Sequence, residues 1–564
     1  MAALLITLVV NGLLILNGTT NGPDDDLGIA MALSGLYPES GQCLFTNALL
    51  NNIVFSLNSA MPDVNWFLVI ERSSSAAAFF VACYLLLRYV PLQVALAILG
   101  LVSYFVMPRC TAGANFTVVA AMCVFSGELC FCVGIYHRKL VPCIAGCLLV
   151  VLGYLWRALI LALSAPFLAL AFFALVWTCR KEGGGALRSL GTRTAASICV
   201  VGLLVGGAYF YDQSVWEQPE WATWQSFNSA RYELVDYPTL PYEDVDEELA
   251  AAGVSESDYW LMTNWITADP EFMTTERLQA VGEIAREPQA ERSFLEALGA
   301  ECLHLLTAFL FTGYLILLVV VVALAGGRRA VVISVLSVLG AFAACVLFRY
   351  TGRLPMRVEY SVWLFSLLPL AVSLFGPVSS GVTGCMESSW RKWRASALLA
   401  ALLVVLCSLG MLIKWAPTFN VAEARQFEAQ SQSIAQERLI QRFTKPGTVF
   451  VWDTTSFMQI ERELGYRCLP PREMLESTAM AGGWTQRAPF VEAHNAAVGA
   501  SNPLKSLIER PDTYFVSRRG KAVDFLLQYL REHYNESTTY EIVDKVPPLD
   551  EGESPILVVK YSAN

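Results

Sequence analysis

Long apolar runs alternate with short polar or basic segments over most of the chain, and a bilayer-spanning helix needs about 20 consecutive apolar residues. The runs are Ala2–Leu16, Trp66–Tyr89, Leu92–Met107, Phe116–Tyr136, Leu140–Trp177, Ala195–Tyr211, Leu303–Ala325, Val331–Phe348, Val362–Phe375 and Ala395–Trp415. Leu140–Trp177 is too long for one span and is read as two, with the break near Trp156-Arg157 or at Pro166, which makes about eleven spans. Between the first two spans lies a polar loop, 17–65, holding two short apolar pieces, Leu27–Leu36 and Leu44–Leu57. Pieces of that length suit helices lying along a membrane interface. An acidic loop, 212–301, rich in Trp and Tyr, reads as mostly helical. From Ala416 onward the pattern changes to a charged helix (Ala422–Phe443), strands at Thr448–Trp452 and Thr513–Ser517, a helix at Lys521–Tyr534 and a strand at Ile556–Tyr561. That alternation predicts a small α/β domain. The fold class is therefore a polytopic α-helical membrane protein, residues 1–415, followed by an α/β domain, 416–564.

Composition agrees with this pattern. The chain is 55% hydrophobic and 16% charged, against about 45–50% and about 25% for soluble domains. A net charge of −10 speaks against nucleic acid as a partner. The 15 cysteines form no CxxC pair, most sit singly in apolar runs, and the four histidines make no zinc motif, so no metal-ligand set is assigned. Without a basic leader or a small-residue cleavage site, the first run is expected to be an uncleaved span. Basic loops at 137–139, 179–193, 328–329 and 391–394 are expected to be cytoplasmic. Eleven spans with a cytoplasmic N-terminus satisfy all four, and place loops 17–65 and 212–301 and the C-terminal domain outside. The connector 349–360 breaks the rule, being basic yet outside, and binding an anionic group at the membrane surface would account for it.

Two groups of residues carry candidate chemistry. Asp24, Asp25 and Asp26 follow the first span. A carboxylate there suits a general base for an attacking hydroxyl, or a cap on the helix that starts at Leu27. Arginine forks match phosphate oxygens. Arg157 stands between two apolar runs, where it either binds an anion or reaches to the interface. Arg349, Arg353 and Arg357 lie in the rule-breaking connector, where the plainer alternative is pairing with Glu359 or the acidic loop. The tryptophans at 216, 221, 224, 260 and 265 suit sugar faces or a helical bundle on the membrane. Triplets fitting the N-glycosylation pattern begin at Asn17, Asn115 and Asn535. No phosphate-binding glycine loop, nucleophile elbow or nucleotide fingerprint is present.

The stretch Asn21-Gly22-Pro23-Asp24-Asp25-Asp26-Leu27-Gly28-Ile29, continuing to Tyr37, resembles the first outer loop of GT-C integral membrane glycosyltransferases, particularly bacterial surface-polysaccharide (O-antigen type) enzymes. In those enzymes an acidic pair precedes an apolar helix. Asp24 stands where that motif has Asn, so Asp25 and Asp26 align with the pair. The resemblance implies a polyprenyl-phosphate sugar donor, a cell-surface glycan or lipid-linked acceptor, and transfer on the outer face of the plasma membrane. It further implies an acidic base (Asp25, then Asp26, then Asp24) and donor-phosphate contacts from Arg157, Arg353, Arg357 and Arg349. Some members use a divalent cation such as Mg or Mn; three clustered aspartates permit one without demonstrating it. The rival classes are a lipid-linked glycan flippase or transporter, which would carry polar residues along its spans, and an envelope assembly scaffold. The enzyme reading requires Asp25 or Asp26 to share one cavity with Arg157.

Overall fold

The structure is a computed structural model that describes residues 1–16, 20–21, 25–35, 37, 42–62, 64–111, 113–180, 184–286, 293–375, 437, 440–457, 471–547 and 554–563. In apolar surroundings a backbone must satisfy its own hydrogen bonds, so the apolar runs become helices. They are α1 (Ala2–Leu16), α2 (Asp26–Ala32), α3 (Ala48–Ala60), α4 (Trp66–Tyr89), α5 (Leu92–Leu101, continued by a π-helical turn Val102–Val106), α6 (Pro108–Thr111), α7 (Phe116–His137), α8 (Leu140–Trp156), α9 (Leu159–Cys179) and α10 (Gly184–Trp216). The acidic loop supplies α11 (Pro219–Val235), α12 (Asp246–Ala251), α13 (Glu256–Thr263), α14 (Thr275–Ala285) and the start of α15 (Phe294–Thr307); α16 (Phe309–Tyr350) and α17 (Met356–Ser373) follow. Among the described residues five helices are long and apolar enough to cross a membrane, or six if the bent pair Phe294–Thr307 and Phe311–Ala323 counts as one span. Helices occupy every predicted run up to 375, and the eleventh, Ala395–Trp415, lies outside the described residues, as does the basic loop 391–394.

Helix α7 is the buried centre of the bundle. It meets α8 along a seam of glycines: a Cβ on Gly146 would stand 2.8 Å from the Gly127 carbonyl oxygen, and one on Gly153 2.8 Å from that of Ala120. Small residues of this kind let helix backbones approach where no hydrophobic force drives association in lipid. At one end of the bundle Arg193 donates to the Ile135 carbonyl, and Arg329 to Thr178 Oγ1 and the Ser373 carbonyl. Three of the four predicted basic loops thus gather at the same end. The Asp25–Asp26 segment and Arg157 lie at the other.

Four local expectations are resolved by packing. The long run 140–177 breaks at Trp156-Arg157, where Arg157 leaves helical geometry, while Pro166 is carried inside α9. The basic Gly-rich loop turns helical at Gly184 and joins the next run as one 33-residue helix. The piece 27–36 does not lie on an interface: Ile29, Ala30, Met31 and Ala32 are buried, Ile29 and Ala30 in the core of the membrane helices and the other two beneath the C-terminal domain and the outer loop. Met31 packs with Phe450 and Trp452, and Ala32 with Trp216, Trp221 and Trp224. Helix α3 keeps one apolar face exposed through Leu49 and Ile53, as an interface-lying helix would. Most of the charged helix 422–443 lies outside the described residues.

The C-terminal domain holds a five-stranded mixed sheet. Two-residue strands β1 (Thr20–Asn21) and β2 (Gly113–Ala114) pair in the membrane part; the domain's own strands are β3 (Val449–Trp452), β4 (Thr478–Met480), β5 (Thr513–Ser517), β6 (Thr539–Val546) and β7 (Ile556–Ser562), in the order β4-β3-β5-β7-β6. The predicted strands at 448–452, 513–517 and 556–561 and the helix at 521–534 are present; β4 and β6 add to them. Asp453, at the carboxyl end of β3, is fully buried and ion-paired to Arg519, whose Nη1 and Nη2 reach Asn264 of the outer loop. It is a structural tie. Trp224 Nε1 donates to the Gln486 carbonyl, 3.0 Å, so much of the aromatic outer loop serves to dock this domain.

Candidate functional site

The aspartate triplet is split by geometry. β1 lies parallel to β2, with Thr20 opposite Gly113 and Asn21 opposite Ala114, which brings Asp25 and Asp26 beside the start of α7. Asp26 then turns inward. It is wholly buried, its Oδ1 accepts from the Phe116 backbone N–H at 2.8 Å, and its Oδ2 accepts from Asn115 Nδ2 at 3.3 Å. It therefore satisfies the amino end of α7, a capping role on a helix other than its own. Asn115, buried in the same contact, is no acceptor for glycosylation. Asp25 sits at the N-cap position of α2 without capping it. Asp24 lies outside the described residues.

Asp25 opens instead on a cavity of about 750 Å³. Arg157, Arg353 and Arg357 line the same cavity, and the sequence had grouped all four. The walls come from the membrane part, the outer loop and the C-terminal domain. Leu159, 69% exposed, stands on its lining and gives the cavity an apolar edge. Arg357 pairs with Asp25 at 3.3 Å, Arg353 with Asp236 at 3.4 Å, and Arg286 with Glu233 at 3.2 Å. Among the described residues five arginines and three carboxylates line the cavity, and these pairs leave Arg157 and Arg231 without an ion-pair partner. Arg157 rests on the rings of Phe45 and Phe116, at 5.2 and 5.6 Å. Burial, then the like charge of Arg357, lowers its pKa, and Asp25 opposes this. Arg349 is not part of the cavity. It is ion-paired to Glu301, a fully buried carboxylate, so its place in the connector is explained by structure.

Arg231 was not foreseen. It is 2% exposed, and its Nε and Nη2 donate to Asn228 Oδ1 at 3.0 and 2.9 Å, while Nη1 has no partner. Burial brings its pKa down to about 10, against the supporting charges of Asp236 and Asp25. Its guanidinium lies 4.7 Å from the ring centre of Trp265. Trp265 follows α13 with φ +67, the left-handed position usually given to glycine after a helix. The Ile266 N–H reaches back to the Leu261 carbonyl, 3.0 Å, closing that turn. A side chain there costs about 1–2 kcal/mol, which glycine would avoid.

A loop of the C-terminal domain completes the wall. Thr267 N–H and Ala268 N–H both donate to the Ala481 carbonyl, at 2.9 and 3.0 Å, and Ile266 bridges to Gly482. Gly482 lies so close to the outer loop that a Cβ would fall 1.6 Å from the Trp265 carbonyl oxygen. This contact carries Trp484 into the cavity, where its ring centre is 4.9 Å from that of Phe45 and its edge covers Gly28.

The chain is similar over its whole length to two solved structures. Undecaprenyl-phosphate-bound ArnT from Cupriavidus metallidurans shares 11% identity at a TM-score of 0.41, with 99% of this chain and 97% of that one covered. The Archaeoglobus fulgidus oligosaccharyltransferase, in a complex with Zn and sulfate, shares 14% identity at a TM-score of 0.41, with 100% and 73% covered. No protein-family profile matches the chain, and no curated protein does.

Among the described residues no group of three or more His, Cys, Asp or Glu is placed to hold a metal ion. The three carboxylates that line the cavity among the described residues, Asp25, Asp236 and Glu233, are each paired with an arginine, whereas Mg or Mn takes several oxygen ligands at once. What the cavity offers among the described residues is an excess of positive charge, five guanidiniums against three carboxylates, and such groups are strongest where water is scarce.

Proposed function

We propose that this protein is a membrane glycosyltransferase of the GT-C type, moving a sugar from a polyprenyl-phosphate donor to a cell-surface glycan or lipid-linked acceptor. The observation that carries the reading is the meeting of Asp25 with Arg157, Arg353 and Arg357 in one cavity with an apolar edge. The polyprenyl chain lies along the apolar side near Leu159, and the donor phosphate faces the arginines. The acceptor hydroxyl attacks the anomeric carbon and gives its proton to Asp25. The bond from that carbon to the phosphate oxygen breaks, and its electron pair leaves with the phosphate. The phosphate then gains a negative charge, and Arg157 and Arg357 stabilise it more strongly in the transition state than in the ground state. Asp26 and Arg349 serve the fold. With the basic end of the bundle cytoplasmic, the N-terminus is inside, the cavity and the α/β domain of residues 416–564 are outside, and the spans up to 415 number eleven, in the plasma membrane.

The test is transfer of radiolabelled sugar from polyprenyl-phosphate donors in membranes. Asp25→Asn should lower it by roughly 100-fold or more at equal expression. Arg157→Ala should raise the donor KM. Undiminished transfer in Asp25→Asn would move the base elsewhere. No transfer from any donor by the wild-type protein would favour a transporter or a scaffold.

A further inference from the structure

We propose that Trp265, backed by Arg231, and Trp484 form the subsite for the acceptor's sugar ring, so that the C-terminal domain takes part in substrate recognition. The inference rests on the glycosyltransferase reading for the word acceptor, but the sugar site itself does not.

Both indoles line the cavity that holds Asp25. Trp484 also packs on Phe45 and over Gly28, whereas the fold alone does not ask for a side chain of this size at Trp265. Trp265 occupies a left-handed position that glycine fills without strain, and it keeps its ring on the cavity wall. Arg231 stacks on that ring, is 2% exposed, and keeps one buried nitrogen without a partner. A guanidinium fixed behind an indole is a rigid plate with N–H donors at its edge. Trp484 is brought in by the near-contact of Gly482 with the Trp265 carbonyl, so the two rings arrive through a single junction. Sugar rings present flat C–H faces edged by hydroxyls. Rigid indoles suit the faces, and guanidinium donors and the nearby carboxylates suit the edges. Of the other arginines, Arg157, Arg353 and Arg357 come from the ends of the apolar helices, where a lipid phosphate arrives, and Arg286, from the outer loop, is taken up by Glu233. The two tryptophans come from the outer loop and the C-terminal domain, where a solvated glycan arrives. The acceptor is therefore a sugar, and its ring sits on these two indoles, next to the donor site, because Trp484 and Arg157 both pack on Phe45.

Saturation-transfer NMR on the full chain in detergent tests this without requiring turnover. The probes are free hexoses, N-acetylhexosamines and uronic acids. Wild-type protein should saturate the ring C–H protons of at least one of them. Trp484→Ala and Trp265→Gly should abolish that signal. Trp265→Gly should also leave the melting temperature unlowered, because glycine relieves the left-handed backbone; a structural tryptophan would lower it. Where transfer is measurable, both variants should raise the acceptor KM about tenfold or more and leave the donor KM unchanged. No saccharide signal in wild type, or a signal unchanged in both variants, overturns the proposal. A shift in donor KM alone overturns the assignment to the acceptor. If wild type transfers nothing yet saturates a sugar through these tryptophans, the sugar site stands and the glycosyltransferase reading falls.

Discussion

Gly482→Ala is the sharpest test of how the cavity is assembled. The new Cβ would lie 1.6 Å from the Trp265 carbonyl oxygen, 2.7 Å from its carbon and 3.1 Å from the Ile266 Cα. All three are backbone atoms and cannot swing aside. The loop would have to retreat, breaking the bonds from Thr267 and Ala268 to the Ala481 carbonyl. Two hydrogen bonds at about 1 kcal/mol each, with further loss where buried donors are left unpaired, give about 2–4 kcal/mol. For a domain of this size that is a fall of roughly 5–15 °C in melting temperature. A fluorescence melt of the purified full chain would follow it, with sugar transfer measured in parallel, since Trp484 would leave the cavity. Gly520→Ala is the control: a Cβ there meets nothing within 4 Å, and alanine at a helix start should keep or raise stability. If Gly482→Ala melts and transfers like the wild type, the junction between the outer loop and the C-terminal domain is not built as described.

Three further outcomes are expected. Asp26→Ala should lose roughly 1–3 kcal/mol of stability, because the buried Phe116 N–H loses its acceptor; a thermal melt unchanged from wild type would contradict this. Arg349→Ala should destabilise by roughly 3–5 kcal/mol through the stranded Glu301 carboxylate, while the donor KM of the folded fraction stays at the wild-type value; a raised KM would return Arg349 to the site. His494, buried against Thr478, has its pKa lowered from 6.5 by burial, so the unfolded chain takes up a proton that the folded one refuses. Stability is then full above 6.5 and falls as the pH drops below it, and His494→Gln should flatten that slope in melts between pH 5 and pH 7.

The apolar pattern made most of the membrane part legible, because length and hydropathy alone decide which runs become helices in lipid. The break at Arg157 was one of two that the sequence offered, and it prevails over Pro166, which α9 carries inside, since a charged residue between two apolar runs is expensive anywhere except at an end. Which aspartate faces inward was not. Helix α2 has seven residues, too few for a periodicity to show its buried face, and Asp25 and Asp26 differ only in the neighbours that the β1–β2 pairing gives them. Arg349 resembled Arg353 and Arg357 in every local respect; its partner Glu301 lies 48 residues away in sequence. Arg231 was hidden inside a loop whose carboxylates and aromatics suggested an exposed bundle, and its contacts with Asn228 and Trp265 appear only once that loop is folded. Strand β6 escaped because it is an edge strand with polar, largely exposed positions, which erases the alternation by which strands are recognised.

The junction at Gly482 also orders events in biosynthesis. Asp25 and Arg157 emerge early, as the first spans are inserted, whereas Trp484 belongs to a domain that folds only after the last span is made. Until then the cavity lined by Asp25, Arg157 and Trp265 lacks the part of its wall that Trp484 supplies. The cavity is therefore complete only once segments from both halves of the chain have been made and have folded together.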